Sequence, residues 1–158
     1  MSLCRGNGWS LPASNQPQYS ALWRDIEADV LPTSTELGLG QVVWSPLAMG
    51  VLTGKYTSTA DVPEDSRAAG PERQFMQRFL DDRVLAAVQG LRPLAQEAGC
   101  SLSQLALAWC LRQPAVASVI TGASKPSHVE DNVAAADLDV DPSILTAMDR
   151  LLEPVTAS

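Results

Sequence analysis

The chain has 158 residues, enough for one domain with a core of its own. Hydrophobic residues make up 46% of it and charged residues 18%, a globular rather than a disordered composition. A net charge of -7 argues against a nucleic-acid partner, whose phosphates need a basic face, and no apolar run reaches the ~20 residues of a membrane span.

Residues 1–14 (MSLCRGNGWSLPAS) lack the apolar stretch of a secretory signal. Cys4, Cys100 and Cys110 are odd in number and far apart, without metal-ligand spacing. They read as reduced thiols of a cytoplasmic protein, and no metal site is expected.

Leu11 to Tyr19 is a candidate strand that Pro12 and Pro17 weaken. It ends in "NQPQYS", Asn15 to Ser20, polar residues at a strand end. In a parallel barrel ligand groups sit there, although the same letters make an ordinary strand-to-helix turn capped by Ser20. Ile26 and Val30 lead a helix to Pro32, which breaks it and can start another running to Gly38. Gln41 to Trp44, between Gly40 and Pro46, reads as a strand buried on both faces.

"WSPLAMGVLTGKY" follows, Trp44 to Tyr56. A P-loop needs four residues between its glycine and the Gly-Lys pair, then Ser or Thr. Gly50 leaves three before Gly54-Lys55, and Tyr56 comes next, so a nucleotide triphosphatase site is excluded. A turn whose backbone amides and lysine cradle a diphosphate remains, against a plain surface loop. Ala60 to Asp81 is polar, contains Pro63, Gly70 and Pro71, and reads as a long surface loop.

Val84, Leu85, Val88, Leu91 and Ala95 keep a helical period, with Gly99 suited to the position past its end. Ser101 and Gln104 form a capping-box pattern ahead of Leu105, Ala108 and Trp109. Cys110 falls in the same apolar helix and reads as a buried, inert thiol. Val116 to Ile120 reads as a second buried strand, ending at Gly122. "TGASKPSHVEDN", Thr121 to Asn132, places a glycine turn before a helix opened by Pro126. Free amides there, with Ser124 and Lys125, suit an anion. Val129, Val133 and Ala136 share one face of that helix. Asp141-Pro142 caps a last helix carrying Leu145, Met148 and Leu152. The alternation of strands and helices predicts an α/β fold with a parallel sheet and right-handed crossovers.

Taken in order, "NQPQYS", "VVWSPLAMGVLTGKY", Ser66-Arg67, "SLSQLALAW" and "VITGAS" with Asp131-Asn132 resemble the aldo/keto reductase superfamily. The resemblance runs from about Gly8 to about Leu152 and leans towards the branch of the potassium channel β-subunits and their bacterial relatives. It implies the C-terminal part of a (β/α)8 TIM barrel, about three parallel strands with their helices and a C-terminal helix. Residues 1–14 then form an unmatched start and the beginning of the first strand, and residues 15–158 the C-terminal half of the domain.

The resemblance also implies NADP(H), held without a Rossmann domain. Gln16 would bond the nicotinamide amide, and Tyr19 would stack on the ring. Trp44, Ser45, Pro46, Leu47, Gly50 and Lys55 would embrace the pyrophosphate, with Arg67 closing over it. Gly122, Ser124, His128, Asp131 and Asn132 would hold the adenosine and its 2′-phosphate. His128 stands where glutamine or arginine is common and Asp131 where glutamate is common, with Lys125 as an extra phosphate partner.

The family's Asp, Tyr, Lys and His tetrad lies on earlier strands, and a complete barrel takes about 250 residues. No position here is its counterpart, so no catalytic residue is assigned. The expected function is the cofactor-binding half of an oxidoreductase acting on small aldehydes and ketones, without catalysis of its own. A nucleotide-sensing module and a gene fragment without function are the alternatives. A sheet with open edges also suggests self-association.

Overall fold

The computed structural model describes residues 1–156. Three strands, β1 (Ser14–Asn15), β2 (Gly40–Trp44) and β3 (Val116–Ile120), form one parallel sheet in the order β1-β2-β3. Ser14 pairs with Gly40, and Gln41 with Val116, with a register shift between Gln41 and Val42.

The first strand is far shorter than Leu11 to Tyr19, because Pro12 and Pro17 have no N–H to give a ladder. Contact resumes beyond Pro17, where Trp44 donates its amide to the Pro17 carbonyl at 3.0 Å and Tyr19 donates to the Trp44 carbonyl at 3.2 Å. β2 buries Gln41 and Val43 completely, but Trp44 at its end is exposed. β3 was expected to be buried on both faces. Instead Ala117, Ser118 and Ile120 are exposed, since its outer edge has no strand beside it among the described residues.

A short helix, α1 (Ser2–Asn7), precedes the sheet and buries none of its residues. After a 3-10 turn at Asp25–Glu27 comes α2 (Val30–Leu37). Pro32 does not break it. It sits in the first turn, where backbone N–H groups have no partner to lose. The long loop contains a 3-10 turn, Arg67–Ala69, and a one-turn helix, α3 (Arg73–Met76). Ala68, Met76 and Phe79 anchor the loop in the core, which polar composition alone conceals.

The periodic run from Val84 to Ala95 is two helices, α4 (Asp82–Gln89) and α5 (Arg92–Glu97). Pro93 has no amide to donate, and its ring would strike the Gln89 carbonyl in a continuous helix. α6 (Leu102–Leu111) carries the expected capping box. The Ser101 hydroxyl accepts from the Gln104 amide at 3.1 Å, and the Gln104 side chain accepts from the Ser101 amide at 2.9 Å. Leu105, Ala106, Leu107, Trp109 and Cys110 of α6 are buried, and burial pushes the Cys110 thiol far above its ordinary value. α7 (Pro126–Ala134) corrects the sequence pattern, because it buries nothing and leaves Val129 and Val133 exposed. Its chain turns inward only at Ala135. α8 (Pro142–Leu152), capped by Asp141, buries Ile144, Leu145, Met148 and Leu152.

One carboxylate ties α8 to the rest. Asp149 accepts from Arg24 at 2.8 Å, from Arg112 at 2.8 and 3.0 Å and from the Trp109 indole at 2.9 Å. Arg24 also grips Glu27 at 2.8 Å, and Glu27 accepts from the Tyr19 hydroxyl at 2.8 Å. Both guanidiniums stack near the Trp109 ring, at 5.1 and 4.4 Å from its centroid. Burial pushes the Asp149 carboxyl up, but the bonds from Arg112 and Trp109 and the charges of Arg112 and Arg24 outweigh it. The net result is a carboxyl held below its ordinary value. Asp149→Ala leaves two guanidiniums and an indole without their acceptor and should cost about 2–3 kcal/mol of unfolding free energy, read from urea midpoints. The carboxylate's contribution is complete above about pH 5 and is lost as pH falls through the folded-state value, so the variant should lack that acid-sensitive limb.

Candidate functional site

The chain leaves the end of β2 in a turn of uncommon conformation. Ser45, Ala48 and Met49 have left-handed φ angles of 55°, 47° and 57°, and Gly50 one of 97°. Each such non-glycine residue costs about 1–2 kcal/mol, so the surroundings must hold the turn in place. Ala48, Val51 and Leu52 do so by full burial. Ala48 donates to the Ser45 carbonyl and Gly50 to that of Leu47, both at 2.9 Å, and the Thr53 hydroxyl donates to the Gly50 carbonyl at 2.8 Å. Lys55 folds back across this turn. A methyl group on Gly50 would stand 3.3 Å from its Cε and 3.4 Å from its Nζ, so the absent side chain is what admits the ammonium. Nζ also lies 5.0 Å from the Tyr56 ring centroid.

Two residues that the sequence does not point to fix the backbone on either side of Lys55. The Gln89 amide donates to the Gly54 carbonyl at 2.9 Å and to the Tyr56 carbonyl at 3.0 Å. Arg92 donates to the Gly54 carbonyl at 3.0 Å. These bonds end on main-chain atoms more than thirty residues away, so no side-chain motif could mark them. Gly54 itself has φ +73°, and a Cβ there would come to 2.5 Å from Leu102 Cδ1.

The turn faces the loop after β3 across a cleft of about 810 Å³, within the ~300–1,000 Å³ of small-molecule sites. Trp44, Ser45, Pro46, Leu47, Gly50 and Lys55 form one wall. Gly122, Ser124, His128, Asp131 and Asn132 form the other. Arg67 spans them, with its Nη2 3.7 Å from where a Gly122 methyl would stand. The structure therefore gathers every expected residue from Trp44 onward except Lys125, which is exposed at the N-terminal boundary of α7 and does not line the cleft. Asp65, Met49, Thr53 and Ser103 line it without a sequence signal. The cations are Lys55 and Arg67, and the carboxylates are Asp65 and Asp131. Among the described residues no group of three or more His, Cys, Asp or Glu could hold a metal ion.

Two expected contacts are not in the cleft. Gln16 is exposed beyond β1. Tyr19 corrects the expectation more sharply. It is fully buried, its ring is 5.2 Å from that of Trp109, and its hydroxyl is engaged with Glu27, so it offers no face to a ligand. Burial first, then the bond and charge of Glu27, push its phenol far above the ordinary value. The neighbouring polar letters hide this because they belong to the strand end, whereas the Tyr19 side chain turns into the core. Trp44 is the aromatic residue that faces the cleft.

Residues 3–153 match the family model of the aldo/keto reductases, and the chain belongs to that family. The match takes in residues 3–14, which the motifs leave outside. The family fold is a (β/α)8 barrel, to which the described residues contribute three parallel strands with their helices. The chain is similar to a probable voltage-gated potassium channel subunit beta of Arabidopsis thaliana, at 46% identity over 129 residues. It is equally similar to one of Oryza sativa subsp. japonica, at 46% over 129 residues. A putative one of Schizosaccharomyces pombe shares 40% over 147 residues. These alignments cover 80%, 80% and 89% of this chain but 39%, 39% and 42% of the relatives, so the chain spans about two fifths of their length.

Gly54→Ala sets a strained φ and a direct clash against Leu102 at the base of the turn. It is expected to lower unfolding free energy by about 1–3 kcal/mol, measured by thermal or urea melting.

Proposed function

We propose that the cleft binds a nicotinamide dinucleotide, NADP(H) as in the family generally, for an aldo/keto reductase acting on small aldehydes or ketones. The observation that carries this is the meeting of Lys55, Arg67 and the first turn of α7 around one cleft. A diphosphate is recognised by cations and by backbone amides at turns and helix starts, and both kinds of group are at hand here. Lys55, held over the turn, and Arg67, set across the gap, are placed to take the two phosphates. Ser124, His128 and Asn132 offer polar groups to the adenosine. An aromatic contact to the nicotinamide falls to Trp44 rather than to buried Tyr19, and Gln16 at the sheet's rim is left to the amide. When bound, the cofactor supplies a hydride. These residues bind and orient it.

Residues 15–158 act in this reading as the cofactor-binding C-terminal half of the barrel. The only histidine, His128, sits on the wall away from Trp44's strand end, and Tyr19 is sealed, so neither serves as proton donor to a carbonyl. Among the described residues no strand lies beside the outer edges of β1 and β3, which would give copies of the chain a means of self-association. The free thiols fit a reducing compartment such as the cytoplasm, and among the described residues no helix is long and apolar enough to cross a membrane.

Titration of tryptophan fluorescence with NADPH should saturate below millimolar concentration, and absence of saturation there would remove the proposal. Lys55→Ala removes a phosphate partner and Gln89→Ala loosens its support; each should weaken binding by about tenfold. The purified chain with NADPH and a panel of aldehydes should show no carbonyl-dependent oxidation of the cofactor, and measurable turnover would overturn its assignment as a binding half.

A further inference from the structure

The order of the strands decides which part of a dinucleotide this cleft can grip. They run β1-β2-β3, and the cleft lies between the turn after β2 and the loop after β3. Among the described residues nothing from β1 or the segment that follows it lines the cleft. The polar groups of that segment have other partners or stand apart. Asn15 donates to the Gln41 side chain at 3.1 Å, the Ser20 hydroxyl accepts from the Leu22 amide at 3.3 Å, and the Tyr19 hydroxyl donates to Glu27 at 2.8 Å. Gln16 is exposed at the rim. Within the cleft, by contrast, Lys55 lies over Gly50, Arg67 spans the gap, and Ser124, His128 and Asn132 stand on the far wall. Trp44, 38% exposed, is the one Phe, Tyr or Trp side chain that lines it among the described residues.

A nicotinamide dinucleotide is an adenosine 5′-diphosphate esterified to a second ribose that carries the nicotinamide. Bonds from cations to phosphate oxygens are roughly twice as strong as neutral ones, and turn amides add to them. The firm contacts therefore fall on the adenosine diphosphate. The nicotinamide is left one amide at the rim, where water competes for the same bond, and one partly exposed indole. We propose that this chain recognises the adenosine 5′-diphosphate unit and is nearly indifferent to the nicotinamide. Its ligand class is then the adenosine diphosphate esters, ADP-ribose and its 2′-phosphate among them, rather than the nicotinamide dinucleotides alone. The inference rests on the cleft being the nucleotide site proposed above. A nicotinamide-free member of this class has no hydride to transfer, and it competes with the cofactor for the same walls.

Calorimetric titration of the whole chain with two matched pairs tests this: NADPH against 2′-phospho-ADP-ribose, and NADH against ADP-ribose. Each pair differs only in the nicotinamide, so the comparison does not depend on the 2′-phosphate. Within a pair the dissociation constants should agree to about tenfold, the scale of one stacking contact, and a dinucleotide tighter by more than that overturns the proposal. Nicotinamide mononucleotide keeps the nicotinamide, its ribose and one phosphate. It should not saturate the chain where ADP-ribose does, and saturation there overturns the proposal as well. Trp44→Ala should bring the two members of a pair together. Lys55→Ala should weaken both members alike, and a loss confined to the dinucleotides defeats the assignment. Absence of saturation with every nucleotide removes the nucleotide site itself, a result distinct from saturation by the dinucleotides alone.

Discussion

Asp149 ties α8, the end of α6 and the segment after β1 to one another beside a sheet too small to do so. Three parallel strands with open edges give little burial of their own, and β3 leaves most of its residues exposed. The core is made instead largely by the buried face of α6, which packs against β3 and the turn after β2, with α8 set against α4 and α5, and the shared carboxylate joins α8 to the end of α6. It joins Arg24 from the segment after the first strand, Arg112 just past α6, and the buried Trp109 indole. Through Arg24 and Glu27 the same chain of bonds reaches Tyr19. A tyrosine held this way is part of the scaffold, which is why it is not part of the cleft.

The turn after β2 depends on its surroundings in a second way. Left-handed φ angles at Ser45, Ala48 and Met49 disfavour the turn locally. Burial of Ala48, Val51 and Leu52 against the core, and the bonds from Gln89 and Arg92 to the Gly54 and Tyr56 carbonyls, offset that cost. The side chain of Lys55 is thereby presented over Gly50 rather than left to sweep through solvent. Pre-ordering a long, flexible cation in this way lowers the entropy lost on binding an anion. The opposite wall is set by a different device, the contact of Asp131 and its carbonyl with Ser101 and Gln104. The capping residues of α6 thus also position α7.

Much of this was legible because it is local. The capping box at Ser101 and Gln104, the Asp141 cap, the left-handed Gly38 and Gly99, and the strands at 40–44 and 116–120 follow from short-range chemistry. The motif at Trp44 to Lys55 and the one at Gly122 to Asn132 lie on opposite walls of one cleft because parallel strands put their following loops at one end of the sheet. What was misread has one cause each. Pro93 divides a run whose apolar period continues unbroken. Periodicity on α7 gives a face but not what lies against it, and Val129 and Val133 stay exposed. A polar loop hides the apolar anchors Ala68, Met76 and Phe79.

The sequence by itself determined strands β2 and β3, the caps of α6 and α8, the family and the make-up of the two loops that line the cleft, because each is written in residues close together along the chain. Tertiary structure alone decided that Tyr19 is sealed and Trp44 open, since both are aromatic residues beside strand ends and differ only in which side of the sheet they meet. It also decided that Gln89 and Arg92 support Lys55, through bonds to backbone atoms that carry no residue identity. The charge of the α7 wall was settled the same way. Lys125 and Asp131 are six positions apart on the chain, and only the folding of that loop puts the carboxylate in the cleft and leaves the ammonium outside.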